Sequence, residues 1–103
     1  IDIQKLINRI FLTYQEEISE RKIDISLNLE CSNVITDKES LSMALRNLID
    51  NAIKFTQKNK KPKIQINLSQ SEKDWIIIVK DNGIGFKMKF HDKVFVNEFA
   101  FCF

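Results

Sequence analysis

Ile3, Leu6, Ile7, Ile10, Phe11, Tyr14 and Ile18 recur at three- and four-residue spacing, which predicts an amphipathic helix at the start of the chain. Asp2 is placed to cap it, with Ile1 and Leu6 as a hydrophobic staple, and the helix should fade at the cations Arg21 and Lys22. The period then changes to two. Ile23, Ile25, Leu27 and Leu29 alternate with Asp24, Ser26, Asn28 and Glu30, the pattern of a strand with one wet face. A second helix is expected from Thr36 or Asp37, where Thr36 and Glu39 have capping-box spacing. Its core stripe is Leu41, Leu45, Leu48, Ala52 and Phe55, and it must end by Lys61 because Pro62 restricts the residue before it.

Ile64, Ile66 and Leu68 again alternate with polar neighbours, while Trp75 to Val79 is apolar on both faces and reads as an inner strand. The polar stretch from Ser69 to Asp74 is expected to join them as a hairpin. The sequence Lys80-Asp81-Asn82-Gly83-Ile84-Gly85 breaks the second strand and holds the chain's two glycines. Phe86 to Phe103 reads as a loop with at most a short helix. The order helix, strand, helix, strand, strand predicts an α+β fold. Helices should cover one face of a mostly antiparallel sheet in a two-layer sandwich.

Composition narrows the function classes. The chain has 103 residues, 44% hydrophobic and 29% charged, which suits one small globular domain. A net charge of +2 argues against a nucleic-acid partner. Lys58, Lys60, Lys61 and Lys63 cluster without interleaved aromatics, so they read as a solvated loop. Cys31 and Cys102 lie far apart, and with His91 as the single histidine no zinc spacing can be written. Free thiols in a reducing cytoplasm are the simplest account. The run Trp75 to Val79 is too short to span a bilayer and no leader opens the chain, so no membrane contact is expected of this segment. Both ends read as cut points in something larger.

Two constellations could carry chemistry. On the second helix, Asn47, Asn51 and Lys54 sit one turn apart on a polar stripe with Met43. Asparagine oxygens are hard neutral ligands, and a lysine offers a point charge for phosphate, so the stripe suits a metal–triphosphate unit. The exposed polar face of an amphipathic helix explains the same residues, and the helix alone favours that account. In the second constellation, Asp81 ends the inner strand on the side of Ile77 and Val79. A carboxylate there needs donors, and the 6-amino group of adenine is one, whereas guanine presents a carbonyl. Gly83 and Gly85 would let the backbone turn close to a ligand. A plain Asp-Asn-Gly turn between strands is the alternative.

Taken together, the two clusters resemble the Bergerat-fold ATPases, the group shared by histidine kinases, type II topoisomerases and Hsp90. The stretch Leu45-Arg46-Asn47-Leu48-Ile49-Asp50-Asn51-Ala52-Ile53-Lys54-Phe55-Thr56 resembles the histidine kinase N box. Val79-Lys80-Asp81-Asn82-Gly83-Ile84-Gly85-Phe86 resembles its G1 box. The resemblance implies that ATP and Mg²⁺ are the cofactors. It assigns Asn51 to Mg²⁺, Asn47 to the phosphate side, Lys54 to phosphate, and Phe55 to an aromatic position near the nucleotide. Asp81 would read adenine, and Gly83 and Gly85 would form the hinge of an ATP lid. Asp50 and Asn82 are assigned no contact.

ATP-hydrolysing members carry a glutamate general base where this chain has Asn47. The resemblance therefore implies a phosphodonor: the ATP-binding part of a cytoplasmic sensor histidine kinase, whose parent is free to be membrane-anchored. Its partners would be a histidine-bearing dimerisation domain and a response regulator. The match covers residues 1–86 and weakens over 87–103, which makes one partial domain. Val94-Phe95 and Glu98-Phe99 resemble a worn F box in the lid, where His91 also falls. No second glycine box follows, so half the phosphate cradle and the strands flanking the inner strand are expected to be missing. With the phosphoacceptor domain also absent, the chain alone is expected to be inactive. The alternative is a degenerate kinase remnant acting as a protein-interaction module through exposed Phe95, Phe99, Phe101 and Phe103.

Overall fold

The computed structural model describes residues 1–56, 61–72, 74–82, 84–91 and 94–102, with backbone alone at 84, 91, 94 and 96–102. The predicted first helix is two: α1 (Ile3–Thr13) and α2 (Gln15–Glu20), with Tyr14 between them at φ −106°, ψ 16°. Asp2 caps α1 by accepting from the Lys5 amide at 3.2 Å. Ile3, Leu6, Ile7 and Ile10 form its buried stripe. No residue of α2 is fully buried, so the apolar stripe that drives α1 does not carry through the second segment.

Strand β1 spans Asp24–Leu29, and helix α3 spans Lys38–Phe55. The cap of α3 is Asp37, not Thr36: its carboxylate accepts from the Ser40 amide at 3.1 Å and the Ser40 hydroxyl at 2.7 Å. A carboxylate at the helix start also favours the macrodipole, so it outcompetes the predicted threonine box. Leu41, Leu45, Leu48, Ile49, Ala52 and Ile53 are buried along α3. Phe55 leaves the predicted core stripe and is 53% exposed.

Strands β2 (Lys63–Ser71), β3 (Asp74–Asp81), β4 (Ile84–His91) and β5 (Val94–Cys102) complete a sheet of order β1-β2-β3-β4-β5. β1 pairs parallel to β2 and every other pair is antiparallel. The helices cover one face. Ile64, Ile66 and Leu68 of β2, Ile77 and Val79 of β3, and Phe86, Met88 and Phe90 of β4 are buried with the helical stripes in one core. The other face carries Gln65, Lys80 and Lys87, with Ile76 and Ile78 half-buried among them.

Three expectations are corrected by the strands that follow Gly85. Residues after Gly85 form strands rather than a loop, and His91 ends β4 instead of lying in a lid. β3 is consequently flanked on both sides, by β2 and β4, and not left with a bare edge. The physical cause is a period-two pattern: Phe86, Met88 and Phe90 turn to the core, while Lys87 and Lys89 turn away. Phe95 is half-buried, and its ring stacks at 5.5 Å on Phe90, which itself stacks at 5.6 Å on Trp75. The proposed sticky surface thus loses Phe95. The side chains of Phe99 and Phe101, and all of Phe103, lie outside the described residues, as do Lys58 and Lys60.

Candidate functional site

Helical geometry sorts the residues of α3 into flanks. The buried stripe centres on Leu45 and Ala52. At 100° per residue, Arg46 and Asp50 lie to one side of that stripe, and Asn47, Asn51 and Phe55 to the other. Contacts fix which side is which. Asp50 accepts a hydrogen bond from the Tyr14 hydroxyl at 3.2 Å, so its flank looks toward the α1–α2 junction. The Phe55 ring lies 5.4 Å from that of Phe86, so its flank looks over β4. Asn51 is half-buried and Asn47 exposed along this second flank.

The same end of the sheet holds Asp81. Its register partners are Ile64 on β2 and Ile84 on β4, which places it on the helix-covered face in line with Val79 and Ile77. Asp81 is 1% exposed, and its Oδ2 has no hydrogen-bond partner. Burial pushes its carboxyl up to about 6, because a desolvated carboxylate prefers to hold its proton. A buried polar atom without a partner is costly in a fold, so this oxygen calls for a donor. The aromatic pair Phe55–Phe86 lies over β4, whose Phe86 is the register partner of Val79, two residues before Asp81.

The turn after Asp81 is built differently from the expectation. Asn82 takes the left-handed conformation at φ 37°, the Asn-Gly pattern of a tight hairpin turn. Its Oδ1 accepts from the Lys63 amide at 3.0 Å, and its Nδ2 donates to the Lys61 carbonyl at 3.2 Å. Asn82 therefore pins the site's turn to the start of β2. Gly83 lies outside the described residues. Gly85 is buried inside β4, paired with Lys80 on one side and Phe101 on the other, with a register irregularity before Lys87. It is a strand position.

Lys54 is 66% exposed and pairs with Asp50 at 3.0 Å. Tyr14, Asp50 and Lys54 thus form a chain of contacts from α1 to the last turn of α3. Burial, and next to it the Asp50 charge, raise the Tyr14 phenol above its usual range. Beyond it, Arg21 grips the C-terminus of α3. Its Nη1 donates to the Ile53 carbonyl at 3.0 Å and its Nη2 to the Thr56 hydroxyl at 2.6 Å, while Glu17 sits 3.0 Å away. A cation there satisfies carbonyls that the helix leaves open.

Of the residues singled out in the sequence, Asn51, Asn47 and Phe55 share the α3 flank over β4, and Asp81 lies on the helix-covered face of the sheet. Lys54 points instead to Asp50. Sequence reasoning passed over Tyr14, Arg21, Asp50, Asn82 and Phe86 as functional positions. Spacing could have found one link, since Asp50 and Lys54 have the i, i+4 order that favours an ion pair. The others are contacts between elements distant in sequence, which no local pattern reports.

A family model described as histidine kinase-, DNA gyrase B- and HSP90-like ATPase matches residues 36–101. The phytochrome-like protein Cph1 of Synechocystis sp. is 33% identical over 95 residues, covering 92% of this chain and 12% of that protein. The histidine protein kinase SaeS of Staphylococcus aureus is 30% identical over 103 residues, covering 96% of this chain and 29% of that protein. The chain thus spans a small part of these relatives' length. Among solved structures, histidine kinase ThkA in complex with response regulator protein TrrA matches with a TM-score of 0.67 at 24% identity, covering 81% of this chain and 25% of that one. The chain belongs to the histidine kinase-, DNA gyrase B- and HSP90-like ATPase family, as an ATP-binding domain of the histidine kinase type.

Proposed function

We propose that this domain holds Mg·ATP between the Asn47–Asn51–Phe55 flank of α3 and the β3–β4 end of the sheet, and presents its terminal phosphate to a histidine elsewhere. The observation that carries the reading is Asp81, a carboxylate buried to 1% exposure with one oxygen unpartnered. The 6-amino group of adenine supplies the missing donor, and guanine, with a carbonyl there, does not. Phe55 and Phe86 offer an apolar wall for the ring. Gly83 and Gly85, implied as a lid hinge by resemblance, enter this reading only as backbone near the base.

Among the described residues no group of three His, Cys, Asp or Glu side chains gathers for a metal. A cation at this site would be held by the phosphate oxygens and the neutral amide oxygen of Asn51, with Asn47 facing the phosphates. That donor set fits Mg²⁺, which keeps several waters and few protein ligands. When bound, the ion neutralises charge on the phosphates.

Asn47 stands where a general base would activate water, and an amide takes no proton. This favours transfer over hydrolysis. The acceptor is a histidine on a dimerisation domain, the phosphate passes on to a response regulator, and the work is done in the cytoplasm, where ATP is. ThkA, matched here in fold, was solved with a response regulator. Titration of the chain with ATP and GTP in the presence of Mg²⁺ tests the core of the reading. Saturable ATP binding that GTP does not reproduce, and that Asp81→Ala abolishes, is expected. Equal affinity for the two nucleotides would sink it.

A further inference from the structure

Lys54 projects from the exposed side of α3, yet its ammonium is 3.0 Å from the Asp50 carboxylate one turn earlier. That carboxylate is also held by the Tyr14 hydroxyl at 3.2 Å, so its position is set from the α1–α2 junction. The pair is 66% and 37% exposed, and an exposed ion pair within one helix is weak. A phosphate carries more charge than a carboxylate and accepts more hydrogen bonds. The lysine can therefore change partner at little cost.

We infer that Asp50 is a positioning residue that holds Lys54 in reserve, and that phosphate binding draws the lysine away and thereby alters the contact between Asp50 and the Tyr14 hydroxyl at the α1–α2 junction. This rests on the reading of Lys54 as a phosphate contact. Asp50 competes with phosphate for one ammonium, so its effect on affinity passes through Lys54. Tyr14 then feels the exchange. With the ammonium gone, the carboxylate charge is less shared, and the hydroxyl donates to it more strongly. The α1–α2 segment would thus register whether the nucleotide carries phosphates, at a point where the chain bends between two helices.

The chain has a single tyrosine, so Tyr14 reports on itself. Ultraviolet resonance Raman of the tyrosine doublet reads its hydrogen bonding at neutral pH. ATP should shift the doublet toward a stronger donor and adenosine should not. In Asp50→Asn the ATP-dependent shift should vanish. In parallel, Asp50→Asn should tighten ATP roughly two- to fivefold, the scale of a surface ion pair, and leave adenosine unchanged. In a Lys54→Met background the same substitution should do nothing. If Lys54→Met does not weaken ATP, the phosphate role of Lys54 fails. If Lys54→Met weakens ATP but Asp50→Asn acts equally with and without the lysine, the exchange is overturned and Asp50 is only a nearby charge.

Discussion

The Phe55 ring at the end of α3 rests 5.4 Å from the Phe86 ring in β4, tilted at 45°. One partner is 53% exposed and the other 8%. Phe55 therefore shields Phe86 while keeping its own outer surface open beside the Asn51 flank. A residue spent purely on stability would be buried on both sides. Phe55→Ala should cost about 1 kcal/mol of stability, the worth of one aromatic pair with half its surface already wet. It should weaken adenine nucleotide binding by roughly tenfold, as loss of one stacking surface does. Urea unfolding and calorimetric titration give the two numbers. A large stability loss with unchanged affinity would return Phe55 to the core.

Asp81 should be a destabilising residue kept for its chemistry. Its carboxyl is pushed up to about 6 by burial, so at neutral pH a desolvated charge is forced on the fold. Asp81→Asn removes that charge at the same size. Stability at pH 7 should rise by about 1–3 kcal/mol, while selectivity for adenine over guanine falls. Denaturation midpoints and competitive nucleotide titrations read the two effects. A variant less stable than the parent would mean that the charged carboxylate is satisfied in the native state.

The same residue sets a pH dependence whose sign is fixed. The folded carboxyl holds its proton to about 6, against an ordinary value of 3.8. Between those values the native state binds more protons than the unfolded one, so stability falls as pH rises from about 4 to 6 and is level above. The loss is about 3 kcal/mol. Adenosine binding should run the opposite way, because its amino group donates to the charged form. Affinity should rise up to tenfold per pH unit below about 6 and flatten above it. Titrations of adenosine between pH 5 and 8 test this, since adenosine has no phosphate to titrate. An affinity flat across that range would remove Asp81 from the base contact.

The legible and illegible parts of the fold divide along a physical line. The α1 and α3 stripes, the alternation in β1 and β2, and the two-faced apolar run of β3 are local periodicities, so the elements could be written from residue spacing. The two-residue carboxylate position of Asp81 followed from the same counting. The break at Tyr14 left no such trace, because Ile18 continues the helical period across it. Phe86, Met88 and Phe90 carry the period of β4, but Gly83 and Gly85 before them equally suit a loop. The partners of Lys54, Arg21 and Asn82 are set by packing between elements 19 to 35 residues apart, or by a competing ion pair. Periodicity carries no information about those.

Arg21 follows from this last class. It stands at the end of α2 and fastens the terminus of α3 through the Ile53 carbonyl and the Thr56 hydroxyl. Thr56 is fully buried, and its hydroxyl also donates to the Ile53 carbonyl at 2.8 Å. Removing the guanidinium leaves the buried Thr56 hydroxyl oxygen without a donor and the Ile53 carbonyl with one donor in place of two, which costs more than losing a surface charge. Arg21→Ala should lower stability by about 2 kcal/mol. Because Lys54 and Phe55 lie between the two gripped residues, nucleotide affinity should fall as well. Arg21→Lys should recover only part of either loss, since an ammonium cannot reach both acceptors with a rigid fork. Hydrogen exchange separates this from a general loosening. The amides of 53–56 should exchange faster in Arg21→Ala while those of Leu41 and Leu45 keep the protection that global stability allows. Uniform acceleration along α3 would show that Arg21 supports the whole domain and not the turn that carries the site.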